Sequence, residues 1–218
     1  GASVGNYALF AGGYDGSDYY DTVDAYDTSL TRSTPTALSA ARYWLAGASV
    51  GNYALFAGGY DDSDYYDTVD AYDTSLTRST PTALSVGRER LAGASVGNYA
   101  LFAGGRSGSS SFSGAVNAYD TSLTRSTLIS LSGGKNRLAG ASVGNYALFA
   151  GGYGSSPTYK DTVDAYAPPV VPEATLYMPI GTKYKFGESE ETATTNEIMV
   201  PVPITGYIKF KNGVIRNG

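Results

Sequence analysis

The sequence of 218 residues contains no cysteine and no histidine. The absence of cysteine excludes a disulfide framework and a thiolate zinc site. The absence of histidine removes the most common general base, the most common metal ligand and every histidine-dependent nucleophilic triad. Catalytic mechanisms that need a cysteine or histidine side chain are therefore excluded. We expect no cofactor.

Positive charge is also scarce. The 15 Lys and Arg are outnumbered by 20 Asp and Glu, which gives a formal net charge of −5. This balance lacks the basic footprint of a nucleic-acid-binding protein, so no nucleic-acid partner is expected. No apolar run approaches the ~18 residues that cross a bilayer, and no signal peptide is visible. The start at Gly1, in phase with the repeat described next, suggests a piece of a longer protein.

What the sequence does have is a thirteen-residue string, GASVGNYALFAGG, that occurs four times. The copies begin at Gly1, Gly47, Gly93 and Gly140, at intervals of 46, 46 and 47 residues. Near-verbatim repetition at this period indicates a repeat architecture in which each unit is one supersecondary element. Positions that agree between copies report on the scaffold, and positions that differ report on the surface.

Residues 1–46 predict four strands, which we name A to D. Gly5 and Asn6 favour the tight hairpin turn between A and B. Residues 7–11 are aromatic and aliphatic, as a buried strand B requires, and residues 22–26 alternate as strand C. Residues 32–39 are a weaker strand D, whose Pro35 suits a sheet edge because its missing N–H is harmless there. We therefore predict antiparallel blades with A innermost, D outermost and almost no helix.

The order of these signals resembles the kelch repeat. A strand closes in Gly-Gly, an alternating strand ends in Tyr-Asp, and an arginine precedes the next unit. The matching residues are Gly12-Gly13, Gly58-Gly59, Gly104-Gly105 and Gly151-Gly152; Tyr26, Tyr72, Tyr119 and Tyr166; and Arg42 and Arg88. Where a kelch repeat places tryptophan after the tyrosine, this sequence has Arg32, Arg78 and Arg125. The resemblance covers residues 1–166 and implies an all-β propeller of four-stranded antiparallel blades, a fold that hosts enzymes and scaffolds alike.

The domain prediction follows from the repeats. Residues 1–166 are kelch-like blades, divided as 1–46, 47–92, 93–139 and 140–180, with residues 175–178 as a candidate replacement for the last strand D. A linker with Pro168, Pro169 and Pro172 precedes a small β appendage at 181–218, with strands predicted over 182–186, 198–204 and 206–210. Kelch propellers usually have six or seven blades. The sequence leaves open a longer chain, a four-bladed ring or two chains that complete one ring.

Variation between copies is concentrated in two loops. Repeats 1 and 2 differ only at Gly16/Asp62, Ala40/Val86, Ala41/Gly87, Tyr43/Glu89 and Trp44/Arg90. Because antiparallel strands alternate in direction, the B–C and D–A loops leave each blade on one face. Tyrosine with serine and glycine gives stiff, adaptable contact surfaces, as in antibody paratopes. The predicted ligand-binding residues are Tyr19, Tyr20, Tyr43, Trp44, Tyr65, Tyr66, Arg90, Arg106, Phe112 and Tyr159.

Aspartates recur every third residue from Asp15 to Asp27, which raises the question of a calcium site. Strand and turn positions such as Asp24 and Asp27 lie too far from Asp15 to converge, so turn capping is the favoured interpretation and no metal site is predicted. Paired carboxylates also serve glycosidases. Carboxylates that recur in nearly every blade favour a structural role, and we identify no catalytic residue.

The functional prediction is a non-enzymatic binding or structural propeller that presents a variable, tyrosine-rich loop face. Its expected partner is a glycan or a protein surface ligand. An extracellular, cell-surface or virion location fits, as a bacterial adhesin or a phage virion or tail appendage, with homo-oligomer or other virion and surface proteins as further partners. The alternative is a polysaccharide-active enzyme that uses loop carboxylates.

Overall fold

The computed structural model describes residues 1–155, 158–168, 173–177, 183–186, 189–192 and 197–201. Within these residues the regular elements are all β strands, so the all-β prediction is confirmed. No helix long and apolar enough to span a membrane occurs in this part of the chain. The chain divides into two compact units, Gly1–Pro168 and Pro169–Gly218.

The first three repeats each form a four-stranded antiparallel sheet with the strand order A-B-C-D. Blade 1 consists of β1 (Ala2–Val4), β2 (Tyr7–Tyr14), β3 (Tyr19–Tyr26) and β4 (Arg32–Ser33). Blade 2 consists of β5 (Ala46–Val50), β6 (Tyr53–Ala57), β7 (Val69–Asp73) and β8 (Arg78–Ser79). Blade 3 consists of β9 (Ala92–Val96), β10 (Tyr99–Ala103), β11 (Val116–Asp120) and β12 (Arg125–Leu128). The predicted four-stranded blade is confirmed.

The fourth repeat contributes a three-stranded sheet, again antiparallel. Ahead of it, β13 (Lys135–Asn136) lies in the D–A loop of blade 3. The sheet itself consists of β14 (Ala139–Val143), β15 (Tyr146–Ala150) and β17 (Val163–Tyr166), and the two-residue strand β16 (Tyr153–Gly154) pairs with β13. The blades follow one another along an arc that does not close into a ring, since the outer faces of blades 1 and 4 are exposed.

The second unit contains two antiparallel strand pairs. In it, β18 (Glu173–Tyr177) pairs with β21 (Glu197–Pro201), and β19 (Lys183–Phe186) pairs with β20 (Ser189–Thr192). The backbone partner of β18 is β21, and the expectation that residues 175–178 replace strand D of blade 4 stays a prediction. The strand predicted over 206–210 lies outside the described residues.

Strand D lies at the sheet edge, as predicted, but it is shorter than residues 32–39. In blade 1 it ends at Ser33, two residues before Pro35. Beyond the proline the chain bonds to the start of strand C, with the Leu38 amide donating to the Asp21 carbonyl at 2.7 Å. The segment after strand D therefore packs over the end of its own blade and leads to the next one.

Neighbouring blades pack through two different apolar faces, and we call each such contact a joint. At joint 1–2, blade 1 presents an aliphatic face and blade 2 presents an aromatic one; the buried residues are Val4, Leu9, Val23, Ala25, Leu38, Ala54, Phe56 and Tyr72. Phe56 and Tyr72 meet edge to face, with ring centroids 6.1 Å apart. The same pattern recurs at joints 2–3 and 3–4.

Strand A lies at the centre of the arc, where the A strands of successive blades touch. Ser49 Oγ donates to the Ser3 carbonyl at 2.7 Å, and the Ser3 amide donates to Ser49 Oγ at 3.0 Å. Ser95 and Ser142 repeat this pair of bonds. A Cβ at Gly47 would collide with the Gly1 carbonyl. The identity of the four A strands therefore follows from crowding and hydrogen bonding at the axis.

A buried basic side chain crosses every joint. Arg42, from the D–A segment of blade 1, donates from Nη2 to Asp70 of blade 2 at 2.7 Å, and both side chains are fully buried. Lys135 reaches Asp164 of blade 4 at 2.8 Å. At joint 2–3, Arg88 meets Asn117 instead, at 3.0 Å. The buried cation thus faces a carboxylate at joints 1–2 and 3–4, whereas at joint 2–3 it faces an amide.

Because Arg88 faces an amide and not a carboxylate, its positive charge is poorly compensated. Its Nε and Nη1 atoms have no hydrogen-bond partner among the described residues. Burial lowers the pKa of Arg88 to about 10. Since an arginine in the unfolded chain keeps its higher pKa, folding carries the full cost of burying this cation at every pH below about 10, and the cost declines only above that value.

We expect Asn117→Asp to stabilise the protein by about 1–3 kcal/mol at neutral pH, because a carboxylate gives Arg88 a charged acceptor. Asn117 Oδ1 already accepts from the Ser85 amide and hydroxyl, as Asp70 Oδ2 accepts from Ser39, so the site suits a carboxylate. The matched variant Asp70→Asn should destabilise joint 1–2 by about 3 kcal/mol or more. Thermal and urea unfolding measure both, and a lowered melting temperature for Asn117→Asp would contradict this account.

Gly58, the first glycine of its Gly-Gly pair, has φ +69° and no room for a side chain. A Cβ there would lie 2.5 Å from the Arg88 carbonyl and 2.9 Å from Leu91 Cδ2. We expect Gly58→Val to destabilise by more than ~1 kcal/mol. The control is Gly133→Ala, where a Cβ meets nothing within 4 Å and φ is outside the positive range. Equal melting temperatures for the two variants would disprove the steric argument.

Candidate functional site

The B–C and D–A loops form one face, because backbone hydrogen bonds connect them across each joint. Tyr43, in the D–A loop of blade 1, pairs with Tyr60 in the B–C loop of blade 2. Glu89 pairs with Arg106 in the same way at the next joint, and β13 pairs with β16 at joint 3–4. The loop face is therefore continuous from blade to blade.

The loops of blades 1 and 2 gather a cluster of aromatic rings, which we call the tyrosine patch: Tyr14, Tyr19, Tyr43, Trp44, Tyr60 and Tyr65. Tyr14 stacks on Tyr19 with centroids 4.9 Å apart, and Tyr43 lies 5.2 Å from Tyr14. Tyr43 also contacts Trp44 at 4.0 Å and Tyr60 at 6.1 Å, and Tyr60 contacts Tyr65 at 4.7 Å. Tyr14 is 45% exposed and Trp44 is 40% exposed, so the patch presents ring surface to solvent.

Asp62 holds the tyrosine patch together. Its carboxylate accepts the Tyr43 hydroxyl at 2.8 Å, and its backbone carbonyl accepts the Tyr60 hydroxyl at 2.9 Å. Its interaction with the Tyr19 hydroxyl raises the pKa of Tyr19 to about 12, and the Tyr19 and Tyr43 hydroxyls together lower the pKa of Asp62. Burial and Asp62 also raise the pKa of Tyr43. One carboxylate from blade 2 therefore bonds to Tyr43 and interacts electrostatically with Tyr19, both from blade 1.

Trp44 begins a second feature, a ladder of equivalent D–A residues near the arc centre. The Arg90 amide donates to the Trp44 carbonyl at 2.8 Å, and the Arg137 amide donates to the Arg90 carbonyl at 2.9 Å. All three residues have φ between 53° and 56°. The Arg90 guanidinium lies over the Trp44 ring, 3.4 Å from its centroid, so one ring face of Trp44 is occupied. The ladder borders an open cleft of about 390 Å³, with Leu45, Leu91 and Leu138.

Arg106, another predicted binding residue, is engaged within the protein. It donates from Nε to Glu89 at 2.8 Å and from Nη2 at 2.7 Å, and Glu89 is fully buried. Arg90 lies 3.5 Å from the same carboxylate oxygen. At joint 1–2 the equivalent pair is Tyr43 and Tyr60. An ion pair therefore replaces an aromatic pair at joint 2–3, and it ties Arg106 to the scaffold.

Tyr20 and Tyr66 serve the loops that carry them. Tyr20 donates its hydroxyl to Asp15 at 2.6 Å, and Tyr66 donates to Asp61 at 2.7 Å. The Tyr66 ring also faces the buried Arg42, 5.7 Å away. Ring contacts connect Trp44 to Tyr65 through Tyr43 and Tyr60.

Phe112 and Tyr159 belong to a separate aromatic group at joint 3–4. Phe112 lies 5.7 Å from Tyr153, and Tyr153 lies 5.8 Å from Tyr159. Tyr159 is 82% exposed. The ten predicted residues thus divide into the tyrosine patch, the Trp44–Arg90 stack, two loop-stabilising tyrosines, an ion-paired arginine and this second group.

The loop aspartates act as turn acceptors. Asp15 accepts the Ser17 and Asp18 amides, each at 2.9 Å. The Tyr20 hydroxyl, followed by these amides, lowers the pKa of Asp15 to about 2. Asp61 plays the same role in blade 2 and accepts the Ser63 and Asp64 amides. Over the described part of the chain, no three acidic side chains gather in a group suited to a metal ion.

Two charged residues that bond across the joints of the loop face were not among the predicted residues, and both carried a signal in the sequence. Asp62 and Glu89 stand at two of the five positions where repeats 1 and 2 differ. Each is a charged residue that appears in one copy only, and each bonds to a residue of the neighbouring loop. A charged residue that is present in only one copy of a loop therefore indicates a contact with the neighbouring loop.

Comparison with known proteins identifies a solved structure with a similar fold. No protein-family model matches the sequence, and no curated protein matches it. A solved structure described as "Structure of YjhT" superposes with a TM-score of 0.58 and 14% sequence identity. The match covers 68% of this chain and 50% of the YjhT chain. At that identity the similarity shows the fold alone, and the chain spans half the length of YjhT.

We expect Asp62→Gly to return the pKa of Tyr19 from about 12 toward the ordinary value near 10, because the acceptor that favours the protonated phenol is lost. Glycine also suits the φ of +70° at this position. Titration of ¹³C-labelled tyrosines by NMR measures the shift. Asp64→Ala, which removes a loop carboxylate beyond reach of Tyr19, is the control. An unchanged Tyr19 titration in Asp62→Gly would show that another group holds the proton.

Proposed function

We propose that this chain is a non-enzymatic binding propeller that recognises a glycan through the tyrosine patch. The observation that carries the proposal is the stacked array of exposed aromatic rings held rigid by Asp62. Aromatic faces pack against the C–H faces of sugar rings, and phenol hydroxyls and carboxylates bond to sugar hydroxyls. A ring array ordered before binding loses little entropy when a ligand arrives.

The chemistry of the loop carboxylates supports binding over hydrolysis. A glycosidase needs one carboxyl whose pKa is raised, so that it can donate a proton near neutral pH. Asp15, Asp61 and Asp62 all have lowered pKa values, because each accepts hydrogen bonds from hydroxyls or backbone amides. Glu89 is fully buried and paired with Arg106, which removes it from the reach of a substrate.

The kelch type of the repeat and a location outside the cell or on a virion belong to the same proposal. Gly-Gly, Tyr-Asp and the buried Arg42 and Arg88 occupy the places that the kelch pattern assigns them. Tyrosine-rich, glycine-rich loops without cysteine or histidine suit a surface recognition protein. Both a bacterial adhesin and a phage tail appendage present such a face to host glycans.

The test is a glycan array probed with the labelled chain, followed by affinity measurement on the best glycan. Tyr14→Ala and Trp44→Ala should each weaken binding by about 1 kcal/mol or more, which is roughly fivefold or more, as expected of aromatic hot spots. Ile129→Ala, which trims an 87% exposed side chain elsewhere, is the control and should change nothing. Undiminished binding by both patch variants would refute the site, and release of reducing sugar from the bound glycan would refute the non-enzymatic role.

A further inference from the structure

The charges at joint 2–3 do not balance as they do at joint 1–2. At joint 1–2 the carboxylate of Asp70 lies between two arginines: Arg42 Nη2 is 2.7 Å from Oδ2, and Arg78 Nη1 is 3.7 Å from Oδ1. The equivalent residues at joint 2–3 are Arg88, Arg125 and Asn117. Asn117 brings no charge to the place of the carboxylate, so joint 2–3 has the same two cations and one negative charge fewer.

Arg42 and Arg88 also differ in how many of their N–H groups are bonded. Arg42 donates from all three of its side-chain nitrogens, to two backbone carbonyls and to Asp70. Arg88 donates from Nη2 alone, to the Phe102 carbonyl at 3.1 Å and to Asn117 Oδ1 at 3.0 Å. Its Nε and Nη1 have no partner within the described part of the chain, although the side chain is fully buried. A buried cation therefore keeps N–H groups that no described protein atom accepts.

Arg125 adds a second unmatched group to this joint. Its Nε atom is buried and has no hydrogen-bond partner within the described ranges. Burial is the main cause that lowers the pKa of Arg88 to about 10, and the positive charge of Arg125 lowers it in addition. Two cations that repel each other beside buried, unbonded N–H groups destabilise the folded protein unless an anion compensates them.

We propose that a chloride ion binds at joint 2–3, in the place that the Asp70 carboxylate takes at joint 1–2. The ion accepts hydrogen bonds from an unbonded N–H of Arg88 and from Arg125 Nε, and it supplies the missing negative charge. Guanidinium groups offer donors only, so this set of side chains suits an anion and not a metal ion. The site is separate from the tyrosine patch and goes beyond glycan binding, because the ion joins blade 2 to blade 3.

The bonding of Arg88 Nη2 favours a monatomic ion over an oxyanion. A guanidinium holds a carboxylate or a phosphate through two parallel N–H bonds, and each of the two edges that can do so includes Nη2. In Arg88 this nitrogen already donates to the Phe102 and Asn117 oxygens. A spherical halide needs only one N–H from each guanidinium, and its single charge equals the charge of the missing carboxylate.

The proposed site lies one strand in from the edge of blade 3. Asn117 is on β11 and pairs with Thr127 of the edge strand β12, which also carries Arg125. Asn117 Nδ2 donates to Thr127 Oγ1 at 3.2 Å. Thr127 is exposed and Arg125 is half-buried. An ion therefore reaches the two arginines along the edge strand without separation of the blades.

The first experiment is thermal unfolding of the full chain while chloride replaces fluoride at constant ionic strength. A bound ion stabilises the folded protein by mass action, so the melting temperature of the wild type should rise with chloride. Asn117→Asp places a carboxylate in the joint and should remove this dependence, so its lead in melting temperature over the wild type should narrow as chloride increases. Asn52→Asp makes the same change at an exposed turn residue and should follow the wild type.

Arg125→Gln tests the second arginine. The loss of one charged donor should weaken chloride binding by about tenfold or more, seen as a shift of the stabilisation to higher chloride concentration. An unchanged chloride dependence in Arg125→Gln would contradict a site shared by two arginines. A difference between the wild type and Asn117→Asp that stays constant at every chloride concentration would overturn the proposal altogether.

Crystals of the wild type soaked in bromide locate the ion without any variant. The expected result is an anomalous peak within hydrogen-bond distance of the Arg88 guanidinium, at a bromide concentration that leaves surface positions empty. The same peak should be absent from crystals of Asn117→Asp. No peak beside Arg88, or one that appears only when surface positions fill as well, would overturn the proposal and leave water as the partner of Arg88.

Discussion

The buried cation at each joint is the interaction on which the rest of the structure depends. Arg42, Arg88 and Lys135 leave the D–A segment of one blade and enter the next. Burying a charge in this way is costly unless an acceptor meets it, so each cation fixes the position of the following blade to within hydrogen-bond distance. The segment that carries the cation also carries the D–A loop, and the loop is thereby brought onto the B–C loop of the next blade. The continuous loop face is a consequence of this anchoring.

Residues of the loop face also connect neighbouring blades. Position 43 and its equivalents hold tyrosine, glutamate and asparagine, and their cross-joint partners are tyrosine, arginine and tyrosine. At joint 2–3 both members differ from joint 1–2, and the Glu89–Arg106 ion pair takes the place of an aromatic pair. At joint 3–4 only one member differs, because Asn136 pairs with a tyrosine, Tyr153.

Much of the fold could be predicted from the sequence, because it depends on local signals repeated several times. The Gly-Asn turns, the alternating strand C and Pro35 at the edge each act within one blade. These local signals were enough to predict the strands and their order in the sheet. The site was less accessible. The Arg90–Trp44 stack and the Tyr19–Asp62 contact join residues 46 and 43 positions apart across a joint, and no local pattern encodes which loop side chains meet there. The sequence prediction also made strand D too long, because the hydrogen bond from Leu38 to Asp21 takes the place of sheet pairing beyond Ser33.

Every blade carries both halves of a joint: an aromatic side, an aliphatic side, a serine at the axis and, in the first three, a basic residue for the next blade. A tandem duplication or deletion of one 46-residue unit in register leaves all remaining joints complete. Near-identical coding segments recombine readily, so a gene of this kind can lengthen or shorten in whole-blade steps without inventing a new surface. The identity of the copies is then both the product of such exchange and the condition for more of it.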